Sequence, residues 1–160
     1  MIVLGIDPGY AIVGYGVIDT NGMKPLSYGA IRTEAGRKIE DRLSEIYDNM
    51  CELLSVFRPD HVAIEKLYFN TNEKTAINVS QARGVILLAC VKCGVSVYEY
   101  TPLQVKMSVV GYGRAEKQQI MDMTKRLLGL SKIPKPDDAA DALAIALCHA
   151  NSIGSLLMNL

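Results

Sequence analysis

Residues 2–9 have the sequence IVLGIDPG, a short and mostly β-branched apolar run that ends in an aspartate and a Pro-Gly turn. Two further apolar runs follow at 13–19 and 26–32. Asn21-Gly22 lies between them, and Asn-Gly is the strongest short signal for a β-hairpin. We therefore expect the chain to open with three antiparallel strands, the first of which ends at Asp7.

After these strands the sequence alternates between helical and strand patterns. The segments HVAIE at 61–65 and VSVYEY at 95–100 are predicted to be the fourth and fifth strands. Apolar residues recur at helical spacing in most of the remaining segments. The predicted helices cover 39–57, 74–93, a short stretch after Pro102, 114–128 and 137–150.

This order of elements predicts an α/β fold with a five-stranded mixed sheet, three antiparallel strands followed by two parallel ones, and helices on both faces. Right-handed crossovers place the fourth strand beside the first and parallel to it. Ligand sites in open α/β sheets lie outside the carboxyl ends of the strands. Because Asp7 ends the first strand and Glu65 ends the fourth, we expect their carboxylates to lie side by side at that edge.

Length and composition limit the class of protein. A chain of 160 residues suits one domain, predicted here over 1–160, and 49 % apolar with 21 % charged residues is typical of an ordinary globular protein. Seventeen basic and seventeen acidic side chains exclude nucleic-acid binding by bulk charge alone, although a local basic patch remains possible. The first residues lack the basic segment of a signal peptide, and polar residues interrupt the uncharged end. We expect a cytoplasmic protein without a membrane span.

The predicted last helix carries a pair of aspartates, Asp138 and Asp141, whose spacing puts both carboxylates on one helix face. Helix capping explains acidic residues in the first turn, but it explains Asp141 poorly, because Asp141 lies inside a mostly apolar helix that has no Lys or Arg. Each acidic position taken alone is equally well structural. Together with Asp7 and Glu65 they offer hard oxygen ligands, which favour Mg²⁺ or Mn²⁺ over zinc.

A basic segment lies between Thr101 and Pro136. Its seven basic and two acidic side chains leave a net charge of +5. A solvated helix face is one interpretation. The other is a loop that tracks phosphates, because Gly111-Tyr112-Gly113 lies among Lys106, Arg114 and Lys117.

Two aromatic residues, Tyr68 and Phe69, follow Glu65 closely in a polar stretch. Adjacent aromatic side chains in a loop suit stacking on unpaired bases. The alternative is that one of them anchors the loop to the core.

The four cysteines are expected to be reduced and structural, since thiols surrounded by apolar residues behave as small hydrophobic groups. Cys90 and Cys93 form a C-x-x-C motif, which is also compatible with a redox pair or with half of a zinc site. Zinc would need two further ligands, and Cys148-His149 is the candidate pair.

Several separated motifs together resemble one known family, the RuvC family of bacterial Holliday-junction resolvases. The resemblance runs from residue 2 to about 150 and is carried by GIDPG at 5–9, GYGV at 14–17, AIE at 63–65, QARGV at 81–85, QVK at 104–106, VVGYGRAEK at 109–117 and DAADALAIA at 138–146. It implies the fold of the RNase H superfamily. It also implies that Asp7, Glu65, Asp138 and Asp141 form a catalytic and metal-binding quartet.

The resemblance also implies substrate, cofactor and partners. Lys106 and Lys117 match lysines that contact the scissile strand, and Tyr68 matches an aromatic residue that stacks on bases near the junction centre. The implied cofactor is Mg²⁺, two ions per site, with Mn²⁺ as a substitute. The implied substrate is four-way junction DNA, cut by a homodimer, and a RuvA–RuvB branch-migration complex is the implied partner.

Two other functions are weighed against this one. An RNase H-like nuclease with another substrate, such as RNA, would carry the same quartet. An actin-like kinase or ATPase also begins with a strand ending in Asp-x-Gly, but it needs a second phosphate loop, and the sequence after Glu65 supplies no glycine-rich loop for adenosine.

Overall fold

The computed structural model describes residues 1–67 and 73–157 of the chain. In chain order the elements are β1 (Ile2–Asp7), β2 (Ile12–Asp19), β3 (Lys24–Arg32), α1 (Ile39–Phe57), β4 (His61–Glu65), α2 (Glu73–Lys92), β5 (Ser96–Tyr100), α3 (Pro102–Val110), α4 (Lys117–Leu127) and α5 (Asp137–Leu157). One sheet has the strand order β3-β2-β1-β4-β5. β1, β2 and β3 pair antiparallel, while β4 is parallel to both β1 and β5. The predicted fold class and the placement of β4 beside β1 are confirmed.

The two faces of the sheet bury separate apolar clusters. Leu4, Ile6 and Ile64 face α1 and α2, where they pack with Ile46 and Ile86. On the opposite face, α5 lies against the central strands, flanked by α3 and α4. The residues buried there include Val3, Ala63, Val105, Leu128, Leu143 and Leu147. Because side chains alternate along a strand, each central strand supplies both clusters.

Glycines let α5 lie directly on β1 and β2. A Cβ atom added at Gly5 would stand 2.1 Å from the carbonyl oxygen of Ala142, and one added at Gly14 would stand 2.1 Å from that of Asp138. Gly14 is the antiparallel partner of Asp7 in the β1–β2 register. The close packing therefore brings the start of α5, with its two aspartates, against the end of β1.

Two helix boundaries differ from the sequence prediction by three residues or more. α4 begins at Lys117 and not at 114, because Glu116 and Gln119 form a reciprocal capping box that fixes the first turn there. α5 continues from the predicted end at 150 to Leu157. The sequence after 150 contains no proline, and the single Gly154 costs too little to stop a helix that is already formed.

The cysteines and His149 occupy positions that separate the proposed zinc ligands. Cys90 is buried in the cluster beneath α1 and α2, whereas Cys148 is buried on the α5 face, so the sheet lies between them. Both ring nitrogens of His149 are engaged, Nδ1 with the Tyr100 hydroxyl at 2.7 Å and Nε2 with Nδ1 of His61 at 3.0 Å. All four thiols are free, and burial raises the pKa of Cys90 to about 12. The buried positions of Cys90 and Cys148 support the structural interpretation of these two residues, whereas Cys93 is exposed.

In the parts of the chain that the structure describes, none of the helices combines the length and the apolar character that crossing a bilayer requires.

Candidate active site

A cleft of about 200 Å³ opens at the carboxyl edge of β1 and β4, lined by the first turns of α3 and α4 and by the second and third turns of α5. Three of the four predicted carboxylates line it, those of Asp7, Glu65 and Asp141. Two of the predicted basic residues, Lys106 and Lys117, lie on the same wall. Apolar side chains complete the lining, namely Pro102, Val105, Ile120, Ala144 and Ile145. The cleft therefore places acidic side chains and lysine ammonium groups next to apolar side chains.

The backbone explains why these side chains meet. Ile6 of β1 pairs with Ile64 of β4 in parallel register, so the next residues of the two strands, Asp7 and Glu65, emerge side by side. The structure thus confirms their predicted adjacency. Asp141 reaches the cleft from the second turn of α5.

Asp138 lies one turn earlier on α5 and is the quartet member that does not line the cleft. Its backbone packs on Gly14, next to Asp7 in the β1–β2 register. Its charge still acts on the cleft, because it raises the pKa values of both Asp7 and Asp141. All four carboxylates therefore form one electrostatic group.

Burial and mutual repulsion make this group costly to ionise. The pKa of Asp7 is raised to about 8, first by burial and then by the charges of Asp141, Glu65 and Asp138, while Lys117 opposes them. Burial is also the largest cause of the raised pKa values of Glu65 and Asp141. A set of half-buried carboxylates that repel one another is stabilised by a cation, and perturbed groups of this kind cluster at functional sites.

Lys117 supplies one such cation from outside α5. Its Nζ lies 2.9 Å from Oδ2 of Asp141, and this contact raises the pKa of Lys117. The sequence of α5 contains no Lys or Arg that could pair with Asp141. The partner comes from the first residue of α4, and only the packing of α4 against α5 brings the two together.

The donor set suits a hard divalent cation, since carboxylate oxygens are the ligands that Mg²⁺ and Mn²⁺ prefer. Within 1–67 and 73–157, however, no three His, Cys, Asp or Glu side chains are gathered closely enough around one point to coordinate an ion as they stand. Lys117 contacts Oδ2 of Asp141, so it competes with a cation for that oxygen. The residues fit a divalent cation by chemistry and charge.

The raised pKa of Asp7 predicts a pH dependence of stability. Because the folded pKa of about 8 lies above the ordinary 3.8, the folded state holds more protons than the unfolded state between these values. The unfolding free energy of the metal-free protein should therefore fall as pH rises from about 4 to about 8. Urea unfolding in the presence of a chelator measures the unfolding free energies of Asp7→Asn and the parent. The stability of Asp7→Asn relative to the parent should be greater at pH 8 than at pH 5, by on the order of 1–3 kcal/mol. An equal difference at both pH values would contradict the raised pKa.

Comparison with known proteins relates this cleft to a family. The family model described as "Crossover junction endodeoxyribonuclease RuvC" matches residues 3–149, which include every residue of the cleft. The chain belongs to the RuvC family.

Named RuvC proteins match over almost their whole length. The crossover junction endodeoxyribonuclease RuvC of Caldicellulosiruptor saccharolyticus is 56 % identical over 160 residues, covering 98 % of this chain and 96 % of that protein. The RuvC of Brevibacillus brevis is 58 % identical over 152 residues, covering 94 % and 92 %. The family resemblance found in the sequence is therefore confirmed, and the chain is a nuclease of the hydrolase class.

Solved RuvC structures share the fold. The Thermus thermophilus RuvC structure matches with a TM-score of 0.90 at 37 % identity, covering 97 % of this chain and 96 % of that one. A structure of T. thermophilus RuvC in complex with Holliday junction substrate matches with a TM-score of 0.89 at 35 % identity, with the same coverage. The yeast mitochondrial resolvase Ydc2, at a TM-score of 0.70 and 17 % identity, shows the fold alone. The RNase H-like fold implied by the RuvC resemblance is confirmed.

The RuvC-type residues predicted from sequence divide into three groups. Asp7, Glu65, Asp141, Lys106 and Lys117 meet in the cleft, and Asp138 stands beside it. Tyr68, the predicted stacking residue, lies outside the described residues. The apolar wall of Val105, Ile120 and Ile145 was not predicted as part of the site. An apolar residue on a helix follows the same spacing whether it lies in the core or at a cleft rim, so the sequence carries no signal that singles out these three.

Proposed function

We propose that this chain resolves four-way (Holliday) junctions in homologous recombination and DNA repair by nicking two symmetry-related strands. One observation carries the proposal: in a RuvC-family chain, three carboxylates and two lysines meet in a single cleft at the sheet edge. The structure of T. thermophilus RuvC in complex with Holliday junction substrate supports the four-way junction as the substrate. The action on chromosomal DNA would take place in the cytoplasm, and residues 1–160 would act as one nuclease domain.

The proposed cofactor is Mg²⁺, two ions per site, with Mn²⁺ as a substitute. Asp7, Glu65, Asp138 and Asp141 would hold it. When bound, such ions activate water for in-line attack on phosphorus and stabilise the leaving 3′ oxygen. The carboxylates hold that charge in place, and the apolar wall lowers the local dielectric, which strengthens each electrostatic contact in the cleft.

The two lysines are proposed to hold the scissile strand. Lys106 and Lys117 line the same cleft as the carboxylates, so their ammonium groups can pair with phosphate oxygens there. Lys117 would exchange Asp141 for phosphate when DNA and metal enter. Tyr68 is proposed, from the family resemblance, to stack on an unpaired base at the junction centre.

Lys117→Ala should lower the cleavage rate more than it lowers stability. The Lys117–Asp141 pair is partly exposed and contributes little to folding, whereas a cation beside the scissile phosphate acts on the charge that develops there. The salt dependence of junction binding should also fall by about one unit of slope, the value for one phosphate contact.

Single-turnover cleavage at saturating junction and binding titrations at several salt concentrations measure both effects of Lys117→Ala. Lys132→Ala is the matched control, because Lys132 is an exposed lysine of the same basic segment that does not line the cleft. A parental cutting rate for Lys117→Ala would place Lys117 on an ordinary solvated face.

A homodimer is proposed because paired nicks need two active sites related by a two-fold axis. The outer face of α2 supports it. Ile77, Leu88 and Val91 are 62 %, 50 % and 71 % exposed there, and their spacing puts them along one stripe. Sedimentation equilibrium measures the oligomeric state directly, and a monomer at concentrations that support cleavage would contradict the dimer.

A RuvA–RuvB complex is the further partner that we propose, because the RuvC resemblance implies it.

A substrate panel tests the proposed function. An immobile four-way junction, a linear duplex, a fork and a structured RNA are each incubated with the protein, with and without Mg²⁺. Paired nicks restricted to the junction and dependent on Mg²⁺ are expected. Faster cleavage of the RNA would instead favour the other RNase H-like interpretation.

A further inference from the structure

A second polar cavity lies on the other side of the sheet edge that holds the cleft. It has a volume of about 250 Å³ and is lined by Lys66, Leu67, Ser80, Arg83 and Glu99. Lys66 directly follows Glu65, and its backbone N–H donates to the carbonyl of Tyr100 at 2.8 Å. Consecutive side chains of an extended segment point to opposite faces. Glu65 therefore enters the catalytic cleft, while Lys66 enters the cavity on the α2 side.

Arg83 gives this cavity unused hydrogen-bonding capacity. Its Nη2 pairs with Oε1 of Glu99, which reaches the cavity from β5. Its Nε is buried, and no hydrogen-bond partner for it exists within the parts of the chain that the structure describes. A buried guanidinium N–H without a partner costs free energy, so it marks a place where an acceptor is expected.

The charges of the cavity favour an anion. Lys66 and Arg83 contribute two cations, and Glu99 contributes one opposing carboxylate. Ser80 adds no free donor, because its hydroxyl already donates to the carbonyl of Ala76 at 2.8 Å. The Lys66 ammonium is therefore the donor that a ligand can approach directly, while the buried Arg83 Nε–H reaches an acceptor only when the Arg83 side chain shifts. A guanidinium edge matches the geometry of phosphate oxygens.

We propose that the Lys66–Arg83 cavity binds a backbone phosphate of junction DNA outside the catalytic cleft. The inference rests on the proposed function, because the ligand is the DNA that the cleft cuts. A phosphodiester is favoured over other anions because Lys66 is the chain neighbour of Glu65, so DNA bound at Glu65 brings further phosphates to this edge. The cavity would then fix the direction in which the strand leaves the cleft, and Glu99 would limit its affinity by neutralising Arg83.

Two substitutions with opposite expected effects test the cavity. Lys66→Gln removes a cation, so junction binding should weaken several-fold and its salt slope should fall by about one. Glu99→Gln removes the opposing carboxylate and frees Arg83, so binding should tighten several-fold and become more dependent on salt. Affinities are measured in a chelator, so that no cleavage occurs, at three or more salt concentrations. Thermal unfolding checks that each variant is folded.

Glu45→Gln is the matched control for the loss of a carboxylate. Glu45 of α1 pairs at 2.5 Å with Arg37, which precedes that helix, and the Glu45 side chain is 33 % exposed against 39 % for Glu99. This variant should bind junction as the parent does. If Glu99→Gln fails to fold, the charge reversal Lys66→Glu replaces it and should weaken binding more than Lys66→Gln.

The outcomes separate this inference from the proposed function. The parent cuts junctions if the proposed function is right. If Lys66→Gln and Glu99→Gln then both bind junction with the parental affinity and salt slope, phosphate binding by the cavity is refuted and the proposed function stands. Tightening by Glu45→Gln equal to that by Glu99→Gln also refutes phosphate binding by the cavity, because the effect would then be one of net charge. A parent that neither binds nor cuts junctions overturns the proposed function and the cavity with it.

Discussion

Asp7→Asn is expected to lower junction cleavage by roughly 10³-fold or more while junction binding is retained. The substitution keeps the size of the side chain and removes one negative charge from the residue that faces the other three carboxylates. The site should then hold divalent cations less well, and a metal ion contributes several kcal/mol of transition-state stabilisation in such enzymes. Binding should survive because the phosphate contacts come from lysines and other donors around the cleft.

Single-turnover cleavage and junction binding are measured on the same preparation of Asp7→Asn. Asp137→Asn is the matched control, since Asp137 is the first residue of α5, lies outside the cleft and pairs with Lys135 at 2.7 Å. It should cut at close to the parental rate. Parental cleavage by Asp7→Asn would refute the assignment. A folded Asp7→Asn that no longer binds junction would assign Asp7 to recognition.

The rest of the quartet is expected to follow with one difference. Glu65→Gln and Asp138→Asn should lose cleavage and keep binding, as Asp7→Asn does. Asp141→Asn also breaks the ion pair with Lys117 and leaves that ammonium group free in the cleft. Junction binding by Asp141→Asn should therefore tighten more than binding by the other variants, because the freed cation becomes available to phosphate.

Local rules were enough to predict the acidic side of the site. Strand patterns end at Asp7 and Glu65, and the handedness of crossovers then determines that β1 and β4 are parallel neighbours. The Asp138–Asp141 pair follows from helical spacing alone. These inferences depend on short-range sequence and on one general rule of topology. The structure confirms that β1 and β4 are parallel neighbours, whereas Asp138 lies beside the cleft that Asp141 lines.

The basic side of the site depends on tertiary packing and was only partly predictable. The sequence placed Lys106 and Lys117 in a basic segment, but the distance between Lys117 and Asp141 depends on how α4 packs against α5. The Lys66–Arg83 cavity was not predicted either. It joins residues from the end of β4, the middle of α2 and β5, and no periodic pattern links those three segments.

Gly5 and Gly14 let α5 pack closely on the sheet, which brings the aspartates of α5 to the cleft. Gly14→Ala tests whether this close packing is needed for catalysis. The added Cβ would stand 2.1 Å from the carbonyl oxygen and 2.5 Å from the carbonyl carbon of Asp138. Both are backbone atoms, so no side-chain rotation relieves the clash and the first turn of α5 must move away from β2. We expect a loss of about 1–3 kcal/mol in unfolding free energy, as for other overpacked cores.

The same Gly14→Ala displacement should impair catalysis beyond what the loss of stability explains. Asp138 moves away from Asp7 when the first turn of α5 moves, and a shift of about 1 Å in a catalytic group costs on the order of 10²-fold in rate. Cleavage is measured well below the melting temperature of the variant, so that the protein is folded throughout. Gly154→Ala is the control on the same helix, because no described atom lies within 4 Å of its added Cβ, and alanine should stabilise α5 by up to about 1 kcal/mol with unchanged cleavage. A destabilised Gly14→Ala that cuts at the parental rate would show that α5 adjusts without moving Asp138, and that the glycine serves packing alone.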